Sequence, residues 1–363
     1  MHRLPVMCDG KKAYEIVMGE GTLFDAPDFD ICAGKRVMIV TDDHVAPLYA
    51  EALKERLLPF SASVSCHVLP AGERHKTLDE VRRLYGALIP ARFDRNDLIL
   101  ALGGGVIGDL AGFAAATYLR GIRFIQIPTT LLSMTDSSIG GKTGVDFDGY
   151  KNMVGAFHMP ALVYIHPDVL KTLPDRELSS GIAEVIKHGL IRDAAYAEET
   201  AKRRDEVFAR DHASLTALIR RSCEIKASVV EADPYEKGER ALLNFGHTIG
   251  HAIEKAYGFR MLHGECVSLG CVAAARISLR RGLIGEEDFA LIRELFSAYR
   301  LPVSAKDLPP TEEILALTLS DKKMHAGQIR FVLLKRIGEA FVSEDVTKEE
   351  MREAVDTLRE GTA

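Results

Sequence analysis

Residues 98–109 constrain this chain more than any other segment. Leu98-Ile99-Leu100-Ala101-Leu102 is an unbroken apolar run, and Gly103-Gly104-Gly105-Val106-Ile107-Gly108-Asp109 follows it directly. A short apolar run closed by glycines reads as a strand buried on both faces. The alanine-rich stretch from there through Tyr118 reads as a helix. Strand, loop and helix in this order satisfy G-x-G-x-x-G in the context that a dinucleotide fingerprint demands. Glycines let the backbone approach a pyrophosphate, and the helix N-terminus favours the anion. The fingerprint is incomplete, because no acidic residue stands on a strand end at the usual spacing of about 20 residues. A bare strand–helix turn is the plainer alternative. Three consecutive glycines exceed what a turn requires, so contact with a phosphate or dinucleotide is the expectation.

The surroundings agree with a parallel α/β sheet. Arg36 to Val40, Val64 to Leu69, Phe124 to Ile127 and Ala161 to Ile165 read as further strands. Helical patterns lie between them at Val45 to Leu58 and Leu78 to Ile89. Strands alternating with helices imply a largely parallel sheet covered on both faces. From about Pro174 long helical patterns take over, at Arg176 to Ile191, Ala213 to Val230, Gly238 to Tyr257 and Glu265 to Arg281. A strand-like pair returns only at Ile329 to Leu334 and Glu339 to Val342. The expectation is a Rossmann-like α/β domain over residues 1–173 and a mostly helical domain over 174–363. A chain of 363 residues suits two domains at roughly 150 residues each.

Composition excludes several classes. With 47% hydrophobic and 27% charged residues the chain is an ordinary globular one. Its net charge of −6 argues against nucleic-acid binding, which needs a basic surface, although a local basic pocket is compatible with it. Six cysteines, none in a C-x-x-C pair, suit a reducing cytoplasm. Neither a signal peptide nor an apolar run of the roughly 20 residues a membrane helix needs is evident.

Two further segments carry chemistry. Ser138-Ile139-Gly140-Gly141-Lys142-Thr143 resembles the end of a P-loop, but Asp136 occupies the position where that motif needs its first glycine. Lys142 then reads as an ammonium on a mobile loop. Arg240, Asn244, His247 and His251 fall at i, i+4, i+7 and i+11 among Leu, Phe, Ile and Ala, one polar stripe on an apolar helix. Buried polar groups need partners, each costing kilocalories otherwise. His247 and His251 have the spacing of a two-histidine metal site, His263 opens the next helix, and Glu184 with Lys187 shares a helix face upstream. A glutamate and two histidines make a three-ligand zinc set with an open position. Spacing leaves open which two histidines bind.

In this order the motifs resemble the 3-dehydroquinate synthase family. They include Gly72-Glu73-Arg74-His75-Lys76, the glycine loop, Tyr118-Leu119-Arg120-Gly121, Pro128-Thr129-Thr130, Asp136 to Lys142 and Lys151-Asn152. Lys171-Thr172-Leu173-Pro174, Glu184 to Lys187, Asn244 to His251, His263-Gly264-Glu265 and Asp321-Lys322-Lys323 continue the match. The resemblance implies metal ligation by Glu184, His247 and His263, with zinc or cobalt as the ion, and leaves His251 facing the substrate. It implies NAD contacts at Asp42, Glu73, Lys76, Gly104, Gly105, Asp109, Thr129, Thr130, Lys142, Lys151 and Thr172. Substrate contacts carry over to Arg120, Asp136, Lys142, Asn152, Lys187, Lys226, Arg240, Asn244, His251, Lys322 and Lys323.

The implied substrate is 3-deoxy-D-arabino-heptulosonate 7-phosphate, on the shikimate route to aromatic amino acids. The implied chemistry is transient oxidation by NAD, phosphate elimination, re-reduction and aldol cyclisation, making the enzyme a phosphate lyase. Arg240 and Lys226 suit the substrate carboxylate. The resemblance also implies a homodimer in which Arg120 reaches the neighbouring site. Met159 and His188 stand where the family often has Gln and Tyr. The rival readings are a sister sugar phosphate cyclase and a metal-dependent polyol dehydrogenase. The dehydrogenase would release NADH stoichiometrically.

Overall fold

The computed structural model describes residues 1–236, 238–258, 260–319, 324–325 and 328–359. They form two compact units, one of residues 1–173 with 226–234 and the other of 174–225 with 235 onward.

The first unit opens with a hairpin, β1 (His2–Cys8) and β2 (Lys11–Met18). There follow β3 (Arg36–Asp42), α1 (Glu51–Leu57), β4 (Ser63–Leu69), α2 (Leu78–Leu88), β5 (Leu98–Gly103), α3 (Gly105–Thr117) and β6 (Arg123–Pro128). A second hairpin, β7 (Lys142–Phe147) with β8 (Tyr150–Phe157), precedes β9 (Leu162–Ile165). Seven of these strands form one sheet in the order β1-β2-β9-β6-β5-β3-β4, parallel except for β1. The uniformly apolar sequence of β5 follows from its central position, where all six residues are buried. Each such Leu or Ile contributes about 1.5–3 kcal/mol by leaving water.

β1 lies at the sheet edge. It carries Pro5, which has no N–H to offer, and its pairing with β2 shifts register between Val6 and Met7. α3 packs closely on the sheet because Gly108 faces Gln126: a Cβ there would lie 2.6 Å from the Gln126 Oε1. The chain runs outward from β3 to β4 and then returns to β5 on the other side of β3. The sheet therefore has its switch point between the C-terminal ends of β3 and β5, the place where α/β sheets bind ligands.

The second unit is built from α4 (Asp175–Arg192), α5 (Ala194–Lys202), α6 (Arg204–Phe208) and the first part of α7 (His212–Ala232). It continues through α8 (His247–Ala256), α9 (His263–Arg280), α10 (Glu286–Ala298) and α11 (Thr311–Leu319). Two short antiparallel strand pairs, β10 (Met324–His325) with β11 (Gln328–Ile329) and β12 (Phe331–Arg336) with β13 (Glu339–Ser343), precede α12 (Lys348–Thr357). Among the described residues no helix is long and apolar enough to cross a membrane.

One sequence expectation needs correction. The pattern predicted a continuous helix from Gly238 to Tyr257, but the chain forms a 3-10 turn over Glu239–Asn244 and starts α8 only at His247. Gly246 breaks it, with φ at +79°, a conformation that L side chains rarely adopt. The cause is tertiary. α9 crosses here so tightly that a Cβ on Gly270 would lie 1.9 Å from the Gly246 carbonyl oxygen. Arg240 and Asn244 thus belong to the turn, and only His247 and His251 share a helix.

α12 is fastened to α9 by a charge clamp. Arg281 donates from Nε and Nη2 to Glu350 at 2.7 and 2.9 Å, and Glu350 also accepts the Thr347 N–H that caps α12. The Arg281 guanidinium holds the Glu350 carboxyl down to about 2. A depressed carboxyl contributes stability that is complete above its ordinary value of 4.5 and lost as pH falls through about 2. Replacing Glu350 by Gln is expected to cost about 1–3 kcal/mol at neutral pH. In acid the variant should converge with the parent, and unfolding curves at the two extremes of pH check both the size and the sign.

Candidate cofactor site and metal centre

In the first unit the predicted cofactor residues gather around the switch point. Asp42 ends β3 and accepts the backbone N–H groups of His44 and Val45 on one oxygen, each at 3.0 Å. Gly104 and Gly105 turn the chain from β5 into α3. A Cβ on Gly104 would lie 3.1 Å from Thr130, and one on Gly105 would lie 3.0 Å from Ser137. This backbone cradle at a helix N-terminus fits a dinucleotide phosphate. Thr129 donates its N–H to the Gly103 carbonyl, tying the loop after β6 to the loop after β5. Thr172 Oγ1 lies 2.6 Å from the Tyr49 hydroxyl, a partner that the sequence reading missed.

A polar cluster built around the buried Lys76 stands beside the cradle. Lys76 is 4% exposed and donates to Asp109 Oδ2 and to Asn152 Oδ1, both at 2.6 Å. Glu73 lies 3.3 Å from Lys151 and 3.9 Å from Lys76. Burial opposes the charge on Lys76, but Asp109 and Glu73 outweigh it and raise the ammonium above its ordinary value. Asn152, with φ at +51°, donates its backbone N–H to Asp146, which sequence reading also missed. Lys76, expected at the cofactor, and Asn152, expected at the substrate, are therefore directly bonded.

Four other candidates lie in this unit. Lys226 is 5% exposed and donates to the Asp136 carboxylate at 2.6 Å, so the structure brings that predicted pair together. Lys142 is exposed, and its placement corrects the loop expectation: it is the first residue of β7. Gly140 and Gly141, at φ +98° and +67°, turn the chain into that strand, and the Tyr14 hydroxyl accepts the Gly140 N–H at 3.1 Å. Arg120 is exposed at the end of a 3-10 turn over Tyr118–Arg120.

In the second unit α4, α8 and the start of α9 converge. Gly264 donates its N–H to Ser180 Oγ at 3.0 Å, and a Cβ on Gly264 would lie 2.0 Å from the Ser180 carbonyl oxygen. That contact sets His263 beside Glu184, one turn further along α4 from Ser180. Glu184 is fully buried, and its Oε1 lies 3.5 Å from His247 Nε2 and 3.5 Å from His263 Nε2. These separations exceed a hydrogen bond and approach the edge of a tetrahedron, about 3.3 Å when zinc–ligand bonds are near 2.0–2.1 Å. The other oxygen is ion-paired with Lys187, which is 1% exposed.

The donor set therefore fits a divalent ion held by Glu184, His247 and His263. His251 completes a three-ring group, its centroid 5.0 Å from that of His247 and 5.8 Å from that of His263. Burial works against a charge on His263, yet Glu184 and Glu254 together raise its imidazole to about 9. Those two carboxylates mark a place made for positive charge. Arg240 is 2% exposed on the 3-10 turn, and Asn244 donates to Glu236 at 3.0 Å. Lys322 and Lys323 lie outside the described residues.

A phosphate cradle at a sheet switch point and a carboxylate–histidine–histidine centre define an α/β enzyme that combines a dinucleotide with a divalent metal. The models of the 3-dehydroquinate synthase N-terminal and C-terminal regions match residues 66–180 and 181–324. The chain is 45% identical to the 3-dehydroquinate synthase of Symbiobacterium thermophilum over 354 residues, 96% of this chain and 99% of the relative. Among solved structures, 2-epi-5-epi-valiolone synthase from Streptomyces hygroscopicus, with NAD+ and Zn2+ bound, superposes with a TM-score of 0.90 at 29% identity. That likeness covers 98% of this chain and 99% of that one. A 2-deoxy-scyllo-inosose synthase complexed with carbaglucose-6-phosphate, NAD+ and Co2+ gives 0.87 at 25% identity, over 98% and 99% of the two chains. The chain belongs to the 3-dehydroquinate synthase family.

Proposed function

We propose that this chain converts 3-deoxy-D-arabino-heptulosonate 7-phosphate to 3-dehydroquinate and inorganic phosphate, the reaction of its family. The observation that carries the reading is the Glu184–His247–His263 convergence on a chain that matches synthase relatives over nearly its whole length. Bound NAD would accept and return one hydride per turnover, while a bound zinc or cobalt ion would acidify the hydroxyl being oxidised.

The chain's own residues prepare for this. Lys187 engages one Glu184 oxygen and leaves the other facing the imidazoles. The Gly104–Gly105 backbone, with Thr129 and Thr130 behind it, is assigned to the cofactor phosphates. Asp42, Glu73, Lys76, Asp109, Lys142, Lys151 and Thr172 are assigned to the remainder of NAD. Through the Lys76–Asn152 bond, the same lysine that neutralises Asp109 also orients an amide assigned to the substrate. Arg120, Asp136, Lys142, Lys187, Lys226, Arg240, Asn244, His251, Lys322 and Lys323 complete the substrate set. Residues 1–173 are thus assigned the cofactor and 174–363 the metal, with Lys226 the exception because it belongs to the first unit.

A cytoplasmic homodimer completes the proposal. None of the six cysteines is joined in a disulfide. Leu119, Phe147, Tyr150, Met153 and Phe157 are exposed in the first unit, an apolar set suited to a second copy.

Purified protein supplied with NAD, a divalent metal and the heptulosonate phosphate is expected to release inorganic phosphate without accumulating NADH. Steady NADH build-up would instead identify a dehydrogenase. Faster turnover of a sugar phosphate lacking the carboxylate would identify a sister cyclase.

A further inference from the structure

Each of the two histidines facing Glu184 has an acceptor behind its other nitrogen. His247 places Nδ1 3.1 Å from the Phe245 carbonyl oxygen, and Nε2 faces Glu184. His263 likewise turns Nε2 toward Glu184, but its Nδ1 faces a side chain: Glu254 Oε2, 3.6 Å away. Glu254 is only 3% exposed, and it lies on α8 seven residues after His247. A carboxylate in an apolar helix interface is costly to bury unless something compensates its charge. Here it stands behind one imidazole of a cluster that already contains a buried carboxylate.

We propose that Glu254 is a positioning residue for the metal centre: its carboxylate accepts the His263 Nδ1–H and fixes the tautomer that presents Nε2 to the ion. The assignment rests on the reading of Glu184, His247 and His263 as ligands. It extends that reading by giving the two imidazoles different support. A neutral carbonyl orients His247, whereas an anion orients His263 and makes its Nε2 the stronger donor. The 3.6 Å separation is a few tenths of an ångström beyond hydrogen-bond length, within reach of a small side-chain rotation of Glu254.

The test compares the parent with Glu254→Ala, Glu254→Gln, His263→Ala and the Glu254→Ala/His263→Ala double variant, all stripped of metal. Zinc affinity is measured by competition with a chromophoric chelator, without NAD or substrate, and the absorption spectrum of the cobalt-loaded form is recorded. Glu254→Ala is expected to bind zinc about 10–100-fold more weakly, the usual effect of removing such a partner. It should also shift the cobalt bands. The Gln variant retains an oxygen acceptor and should fall between Ala and parent, while its metal-free melting temperature stays at the parent value. In the His263→Ala background, Glu254→Ala should change affinity by less than about twofold, because its effect passes through that ring.

Parent-like zinc affinity in both Glu254 variants overturns the proposal, as does an undiminished Glu254→Ala effect when His263 is absent. A different outcome marks failure of the underlying reading: His263→Ala binding zinc as tightly as the parent removes His263 from the ligand set, and the proposal falls with it. A metal-free Gln variant that melts like the parent, together with weak zinc binding by Ala, excludes a merely structural role.

Discussion

Protein carrying His263→Ala is expected to lose its bound metal after dialysis and at least about a thousandfold in turnover. A Lewis-acid metal supplies several kcal/mol at the transition state, and each 1.36 kcal/mol is roughly tenfold in rate. With His263 gone, Glu184 Oε1 still faces His247 Nε2 at 3.5 Å, but two protein ligands remain where a catalytic site uses three. The informative partner is His251→Ala. Its ring belongs to the same cluster, yet the ligand reading assigns it to the substrate, so this variant should retain metal while losing activity. Metal analysis and initial rates on the two variants decide the set. Metal retained without His263 and lost without His251 would transfer ligation to the pair at helical spacing, His247 and His251.

Gly270→Ala is expected to destabilise the protein by at least about 3 kcal/mol, beyond the common range for overpacking. The added methyl would lie 1.9 Å from the Gly246 carbonyl oxygen and 2.8 Å from the Gly250 N. Both are backbone atoms and neither has a rotamer to yield. Relief requires separating α8 from α9, which displaces His247 and His263 from Glu184. Denaturant unfolding and metal affinity should therefore fail together. Gly86 in α2 supplies the contrast. Nothing lies within 4 Å of its Cβ position, so Gly86→Ala should stabilise by about 0.5–1 kcal/mol through helix propensity alone. Equal behaviour of the two alanines would refute the packing argument.

The elements most legible in the sequence are those whose signal is local. The apolar run of β5 and its glycines announced a buried strand feeding a helix, and the parallel sheet and mainly helical second part followed from periodicity. Strand order is a matter of long-range pairing, so the switch point between β3 and β5 was not legible, although Asp42 and Gly104 flank it. The break at Gly246 was equally hidden, since its cause lies 24 residues away in Gly270. The hairpins β1–β2 and β7–β8 were missed because their strands are half exposed and carry charges, which blurs alternation. Lys142 was read as a loop residue because Gly140 and Gly141 before it resemble the end of a P-loop.

At the candidate site, residue types were legible and connections were not. Spacing alone paired His247 with His251 as readily as with His263. It took α4 and α9 in contact, through Ser180 and Gly264, to set the third imidazole against Glu184. Lys76 and Asn152 are 76 residues apart, a bond that no local pattern announces. Glu254 left a faint signal, standing at i+7 from His247 and i+3 from His251 on the same face of α8. An acid continuing a polar stripe of histidines is a second clue to a metal centre.

The outer strand β1 bears on how this chain survives at high concentration. An exposed edge of a sheet is a template on which another chain can add a strand, and fibrous aggregation begins there. Pro5 removes one donor from that template, and the shifted register at Val6 and Met7 bends the rest out of line. Arg3, held between Glu15 and Asp28, adds a charge that an incoming strand would have to accommodate. The residues that make β1 a poor strand to recognise also make it a poor seed for self-association.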